Sequence, residues 1–384
     1  MKLLKQWQHV QLGSICSKIG SGATPRGGDS VYVEEGTAII RSQNVYNGLF
    51  TDNGLAHIME EHAEQLKGVT VESRDVLLNI TGDSVARCCQ VPDWVLPARV
   101  NQHVAIVRPD SNQLLPEFLF YYFTSPLMQK YLLSRAGSGG TRNALTKEMI
   151  EALEVPCPSL AIQQSIVDLL KNYDSLLENN RRRIQLLEHS ARLLYREWFI
   201  YLRFPGHEHV RIIDGVPEGW EKSTVGEKVV LNYGKALNAD DRIEGSYPVY
   251  GSSGVIGTHE KSLVKGPGII VGRKGNVGSV FWSNKDFYPI DTVYFIDSKT
   301  SNYYLYFTLQ NMQFINSDGA VPGLNRNFAY SRPYIIPEHK LLSLFEETVL
   351  PIQMQIHKLA AYNEKLSEAR DILLPRLMNG EITV

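Results

Sequence analysis

Cysteine is scarce in this 384-residue sequence: Cys16, Cys88, Cys89 and Cys157 form no C-x-x-C pair. Cys88 and Cys89 are adjacent and poorly placed to bond each other, so reduced thiols are expected, not a disulfide framework. Long apolar runs are missing, with no stretch near the ~18 residues that a membrane span needs. The opening MKLLKQWQHVQLG has no apolar run of signal-peptide length. A soluble cytoplasmic protein with no membrane partner is the expectation. Positive charge is not in excess either: 39 lysines and arginines face 41 aspartates and glutamates. Any nucleic-acid-binding face must therefore be a local patch.

Catalytic motifs are also missing. There is no G-x-x-x-x-G-K-[ST] loop, no glycine-rich S-adenosylmethionine loop and no N/D-P-P-Y/F tetrapeptide, which counts against ATP use and methyl transfer by this chain. His57, His62, His103, His207, His209 and His259 are scattered. His207 and His209 are close together, but no cysteine or carboxylate spacing completes a metal set. No nuclease-like carboxylate cluster followed by lysine is evident.

What the chain does have is a repeat. Trp7 and Gly13 in WQHVQLG recur at the same spacing as Trp220 and Gly226 in WEKSTVG. LLNITGDSVA (77–86) resembles IIVGRKGNVG (269–278), NQHVAIV resembles IDTVYFI, and Leu145 at the end of GGTRNAL matches Leu324 in GAVPGLNRN. The shared order of these matches indicates two lobes of one plan, the first carrying a longer insert.

Each lobe is followed by an amphipathic helical pattern. After VPCPSL, apolar positions recur at Ile162, Ile166, Leu169, Tyr173 and Leu176, then at Ile184, Leu187, Ala191, Leu194 and Trp198. The second series runs Leu342, Phe345, Val349, Ile352, Ile356, Leu359, Leu366, Leu373 and Leu377, with Pro351 read as a start or a kink. A helix of about 40 residues is roughly 60 Å long, so the two are expected to pair. Asn180 and Asn363 fall near the middle of these stripes, where each either fixes the register of the helix pair or faces solvent at a stripe edge.

The lobes read as mixed and strand-rich, with runs such as DVLLNIT, HVAIVRP, GIIVG and TVYFI between turn signals, and short helices at PEFLFYYFTSPLMQKYLLS and SNYYLYFTLQNMQFINS. The fold class is α+β: two strand-rich lobes alternating with two long helices that pair with each other. The divisions are 1–155, 156–203, 204–337 and 338–384.

Candidate nucleic-acid contacts cluster in the turns. The first lobe offers Arg41, Gln43 and Asn44 in RSQN and Thr141, Arg142 and Asn143 in GTRN, with Arg26, Asn79, Thr81, Arg87 and Asn101 in neighbouring turns. The second offers Tyr250, Ser252 and Ser253 in YGSS, Arg273, Lys274 and Asn276 in GRKGN, and Asn325, Arg326 and Asn327 in LNRN. Arginine can bond guanine O6 and N7 bidentately, and asparagine or glutamine adenine N6 and N7. A solvated loop is the competing reading for each cluster. The 272–278 turn is open to three readings: a DNA contact, a plain hairpin turn or a nucleotide site. The run Arg181-Arg182-Arg183 faces either DNA phosphates, an acidic partner or solvent.

The helix ends ARLLYREWFIYLRFPG (191–206) and ARDILLPRLMNGEI (369–382), with the lobe motif YPVYGSSGVIG followed by GIIVGRKGNVGSVFW, resemble the specificity subunits of type I restriction-modification enzymes. The resemblance covers essentially the whole chain. It implies a non-catalytic subunit with two target-recognition domains, each reading half of a bipartite site in double-stranded DNA. The two long helices would pair as an antiparallel coiled coil that fixes the spacer and docks methyltransferase subunits, with restriction subunits joining. S-adenosylmethionine, ATP and magnesium would belong to those partners. Two other classes stay open: a self-sufficient DNA-modifying or DNA-cleaving enzyme, and a scaffold that binds protein and not DNA.

Overall fold

A computed structural model describes residues 7–137, 143–312, 314, 323–382 and 384. The chain divides into two compact units, residues 1–180 with 362–384, and residues 181–361.

In the first unit a four-stranded antiparallel sheet has the order Cys88–Gln90, Val76–Asn79, Val104–Pro109, Cys16–Ser21. The central strands are buried on both faces, which is why DVLLNIT and HVAIV read as continuous apolar runs and not as alternating ones. The helix Pro116–Thr124 packs Phe118, Leu119 and Phe123 on this sheet. A second sheet has the order Tyr32–Val33, Ala56–Ile58, Thr37–Ile40, Ala98–Val100, Thr70–Val71, with one parallel pairing, Thr37–Ile40 to Ala98–Val100.

The second unit repeats the plan. Its four-stranded antiparallel sheet has the order Val280–Ser283, Gly268–Gly272, Val293–Ile296, Asn232–Tyr233, and the helix Tyr303–Asn311 packs on it. Its second sheet has three strands, Gly254–His259, Tyr247–Gly251 and Tyr288–Pro289, again with one parallel pairing. The longer insert of the first lobe therefore includes two further strands in the corresponding sheet.

The likeness reaches single hydrogen bonds. Leu145 N donates to Ile80 O at 2.8 Å, and Leu324 N donates to Arg273 O at 2.8 Å. Isolated bridges join Thr81 to Ala144 and Lys274 to Gly323. These pairs tie together the segments matched in the sequence comparison.

The long helices are Leu160–Tyr195, followed by a π-helical turn over Arg196–Ile200, and His339–Met378. The second starts at His339 and runs through an exposed Pro351, so that proline is not its start. Within the first unit Ile166, Val167 and Leu170 of one helix share a core with Leu374, Leu377 and Met378 of the other, and Arg370 reaches Asp174 at 2.9 Å. Within the second unit Ala191, Tyr195 and Trp198 share a core with Phe345 and Val349. Low residue numbers of one helix thus meet high numbers of the other, as antiparallel pairing requires. The seam is offset from the expected one in places: Ile162 and Leu176 are 36% and 52% exposed, and Leu177 is buried in place of Leu176.

Candidate DNA interface

Because the four-stranded sheets are antiparallel, alternate strand ends meet at one edge. In the first unit that edge carries the segment after Cys16–Ser21, the 80–87 loop, the 101–103 turn and the 143–146 segment. In the second it carries the segment after Asn232–Tyr233, the 273–279 loop, the 290–292 turn and the 323–326 segment. A glycine makes each edge possible. A Cβ on Gly22 would lie 1.8 Å from Val100 O and one on Gly234 2.0 Å from Ile290 O, closer than any side chain tolerates.

On the first edge an open groove of about 430 Å³ is lined by Ser42, Gln43, Tyr46, Thr81, Gly82, Asp83, Ser84, Arg87 and His103. Thr81 Oγ1 lies 2.6 Å from His103 Nδ1 in a hydrogen bond, and Thr24 bonds Gln102 beside it. The Arg87 guanidinium lies 5.1 Å from the centroid of the Tyr46 ring. Arg26 and Asn143 are exposed, and Asn143 O accepts from Gly82 N at 3.1 Å.

Other candidates point inward or are engaged. Asn44 is fully buried: its Oδ1 accepts from Arg41 N, and its Nδ2 donates to Thr51 O and Asn53 O. Asn79 is fully buried and donates to Ser42 O and Val45 O. Asn101 is buried and accepts from His103 N at 3.1 Å. Arg41 Nη2 and Gln43 Nε2 both donate to Gly54 O, at 2.6 and 3.0 Å, although Gln43 stays exposed. Thr141 and Arg142 lie outside the described residues.

On the second edge Tyr233, 51% exposed, is flanked by two guanidinium groups, Arg273 at 5.4 Å and Arg326 at 5.1 Å from its ring centroid. Arg273 donates from Nε and Nη2 to Asp291 O, at 3.1 and 2.6 Å. Lys274 is exposed, its Nζ 4.0 Å from Asp291. The 273–279 loop closes a hairpin between Gly268–Gly272 and Val280–Ser283, with Asn276 exposed. Ser252 braces this loop: its Oγ accepts from Asn276 N at 3.4 Å, and its carbonyl accepts from Ser279 Oγ at 2.6 Å. Ser253 is exposed. Burial, and next the Tyr233 hydroxyl, push the Tyr294 hydroxyl up to about 12, so it stays protonated and donates to Leu324 O at 3.0 Å, anchoring the 323–326 segment.

Two candidates here have structural roles. Tyr250 is 8% exposed and packs on Phe281 and Phe287. Asn325 caps the helix Arg326–Tyr330, its Oδ1 accepting from the N–H groups of Asn327 and Phe328. Asn327 and Arg326 are exposed.

Sequence reasoning did not single out Tyr46, Gln102, Thr24, Tyr233 or Asp291, and set His103 aside as a scattered histidine. The signal for Tyr233 is its place beside Gly234, opposite Ser21-Gly22 in the repeat. Among the described residues no group of three or more His, Cys, Asp or Glu could hold a metal ion, and no helix is long and apolar enough to cross a membrane.

The profile of the type I restriction modification DNA specificity domain matches residues 4–189 and 217–328. The MjaIX type I restriction enzyme specificity subunit of Methanocaldococcus jannaschii is 24% identical over 100% of this chain and 95% of its own length. The HindI specificity subunit of Haemophilus influenzae is 22% identical over 99% of this chain and 100% of its own. The crystal structure of a type I restriction-modification S subunit from M. genitalium superposes with a TM-score of 0.63, at 16% identity over 98% of both chains.

Proposed function

The chain belongs to the type I restriction modification DNA specificity family, and from that premise we infer that it is the sequence-specificity subunit of a type I restriction-modification complex. The observation that carries the reading is the recurrence, in both units, of one polar sheet edge built from the same four segments. A protein that reads a split site needs two such edges, and needs them a fixed distance apart, because half-site spacing is a geometric quantity.

On this reading residues 1–155 and 204–337 are the two target-recognition domains, each placing its edge in the major groove over one half-site. Gln43, Thr81, Arg87, Asn143 and Arg26 are the contacting candidates of the first. Lys274, Asn276, Ser253, Arg326 and Asn327 are those of the second. Asn44, Asn79, Asn101, Tyr250 and Asn325 act by shaping the loops. The paired helices, 156–203 and 338–384, set the spacer and dock the methyltransferase subunits, and restriction subunits bind that assembly. The chain itself makes and breaks no covalent bond. Flipping and methylating an adenine is the task of the methyltransferase once the register is set. The complex works in the cytoplasm.

The test is to co-express the chain with its host's methyltransferase subunit and map methylated adenines across the genome. A split motif that appears only when the chain is present supports the assignment. A complex that forms and methylates no motif contradicts it.

A further inference from the structure

Two arginines differ from the other cations of these edges. Arg87 lies against Tyr46, and Arg326 lies against Tyr233 and, at 5.8 Å, Tyr330. Neither guanidinium has a hydrogen-bond or ion-pair partner among the described residues. The contrast is with Arg41 and Arg273, whose donors are engaged by backbone carbonyls.

A tyrosine ring can hold a guanidinium without using any of its N–H donors. The result is a planar fork whose position is restricted in advance and whose donors are free, which lowers the ordering cost of a bidentate contact. A phosphate is bound by a fork or by a flexible point charge alike, so a fork held ready matters most against the paired acceptors of a base edge. Position agrees with this. Arg87 lines the groove with Thr81 and His103. Arg326 follows Leu324, whose N–H is bonded to the loop that carries Lys274.

We propose that Arg87 and Arg326 each read a guanine, one in each half-site, as bidentate donors held ready by Tyr46 and Tyr233. The proposal rests on the chain being a DNA specificity subunit. It adds that both half-sites contain a guanine and names the residue that demands it.

The experiment maps methylated adenines in cells carrying the methyltransferase subunit with the wild-type chain, Arg87→Ala, Arg326→Ala, and the lysine variant at each position. Lysine keeps the charge and loses the fork, and it keeps the test informative where an alanine variant fails to assemble. Each substitution should leave one half-site intact and relax a single guanine position in the other. Sites with another base there, disfavoured about tenfold or more by the wild type, should approach cognate methylation. Tyr233→Leu should relax the same position as Arg326→Ala, whereas Tyr233→Phe, which keeps the ring, should not. Half-sites without guanine, an unchanged motif, or an even fall in methylation at all sites with no relaxation would each overturn the proposal, the last by assigning the arginine to a phosphate. If the wild type yields no split motif, the specificity assignment itself fails. A split motif lacking guanine removes only the present proposal.

Discussion

Asn180 Nδ2 donates to Asn363 Oδ1 at 2.9 Å, from one long helix to the other within the first unit. Asn180 is 7% exposed, so this is a part-buried polar contact in a largely apolar seam, and the register reading is favoured over the solvent-facing one. Asn180→Leu alone should destabilise the chain by about 1 kcal/mol, since it removes the bond and strands a polar partner. Leucine at both positions should recover most of that loss, because an apolar pair suits the seam. Urea unfolding of the two single variants and the double variant checks this. A double variant as unstable as the sum of the singles would show that the two residues are not coupled.

Acid should loosen the first unit through Glu117. This carboxylate is 8% exposed on the helix Pro116–Thr124, receives Arg74 Nε at 2.9 Å and Nη2 at 2.7 Å, and lies 3.5 Å from Lys171. Burial pushes its pKa up, but the Arg74 hydrogen bond, a backbone hydrogen bond and the Lys171 and Arg74 charges together hold it below the ordinary 4.5. A carboxyl with a lowered folded pKa contributes stability above its unfolded pKa and loses it as pH falls through the folded one. Glu117→Gln should therefore be less stable than wild type at pH 7, by about 1 kcal/mol because Arg74 is half exposed. That gap should close as pH falls below 4.5. A gap that persists unchanged at pH 3 would mean that the Glu117 charge is not its source.

The two close-approach glycines should separate the lobes functionally. Gly22→Ala and Gly234→Ala each force a Cβ into a backbone carbonyl, a strain of about 1–3 kcal/mol or more. Each should weaken one half of the methylation motif and spare the other. A variant that abolishes both halves while the chain remains folded by circular dichroism would argue against independent readers.

Lys274 is an exposed point charge on the second edge. Lys274→Ala should weaken DNA binding evenly across sequences and reduce the slope of log affinity against log salt by about 1. A change in the preferred sequence would instead place Lys274 on a base.

The repeat was legible because its landmarks have backbone roles. A Cβ on Gly13 would lie 2.9 Å from Glu151 Cβ, and one on Gly226 2.7 Å from Tyr330 Cβ, so both glycines are pressed against the same short helix of the shared plan. Leu145 and Leu324 are buried where their segment meets the sheet edge. The site was legible only by region. Residue type does not separate a polar group facing solvent from one that folds a loop, and Asn44 and Asn79 have the composition of a DNA contact while serving backbone groups inside the lobe. The aromatic partners were missed for the converse reason: Tyr46 and Tyr233 look like core residues until the structure shows them exposed under a guanidinium. On the long helices, adjacent apolar residues such as Leu176 and Leu177 satisfy the same periodicity, and packing alone decides between them.

Exchanging one lobe asks whether the chain carries two separate sequence readers. Residues 204–337 would be replaced by the corresponding segment of a family member with a different target, and methylated adenines mapped in the presence of the methyltransferase subunit. Two separate readers should give a hybrid motif in which one half-site is unchanged, the other is the donor's and the spacer is kept. A motif in which both half-sites change together, or one that does not change at all, would contradict separate readers.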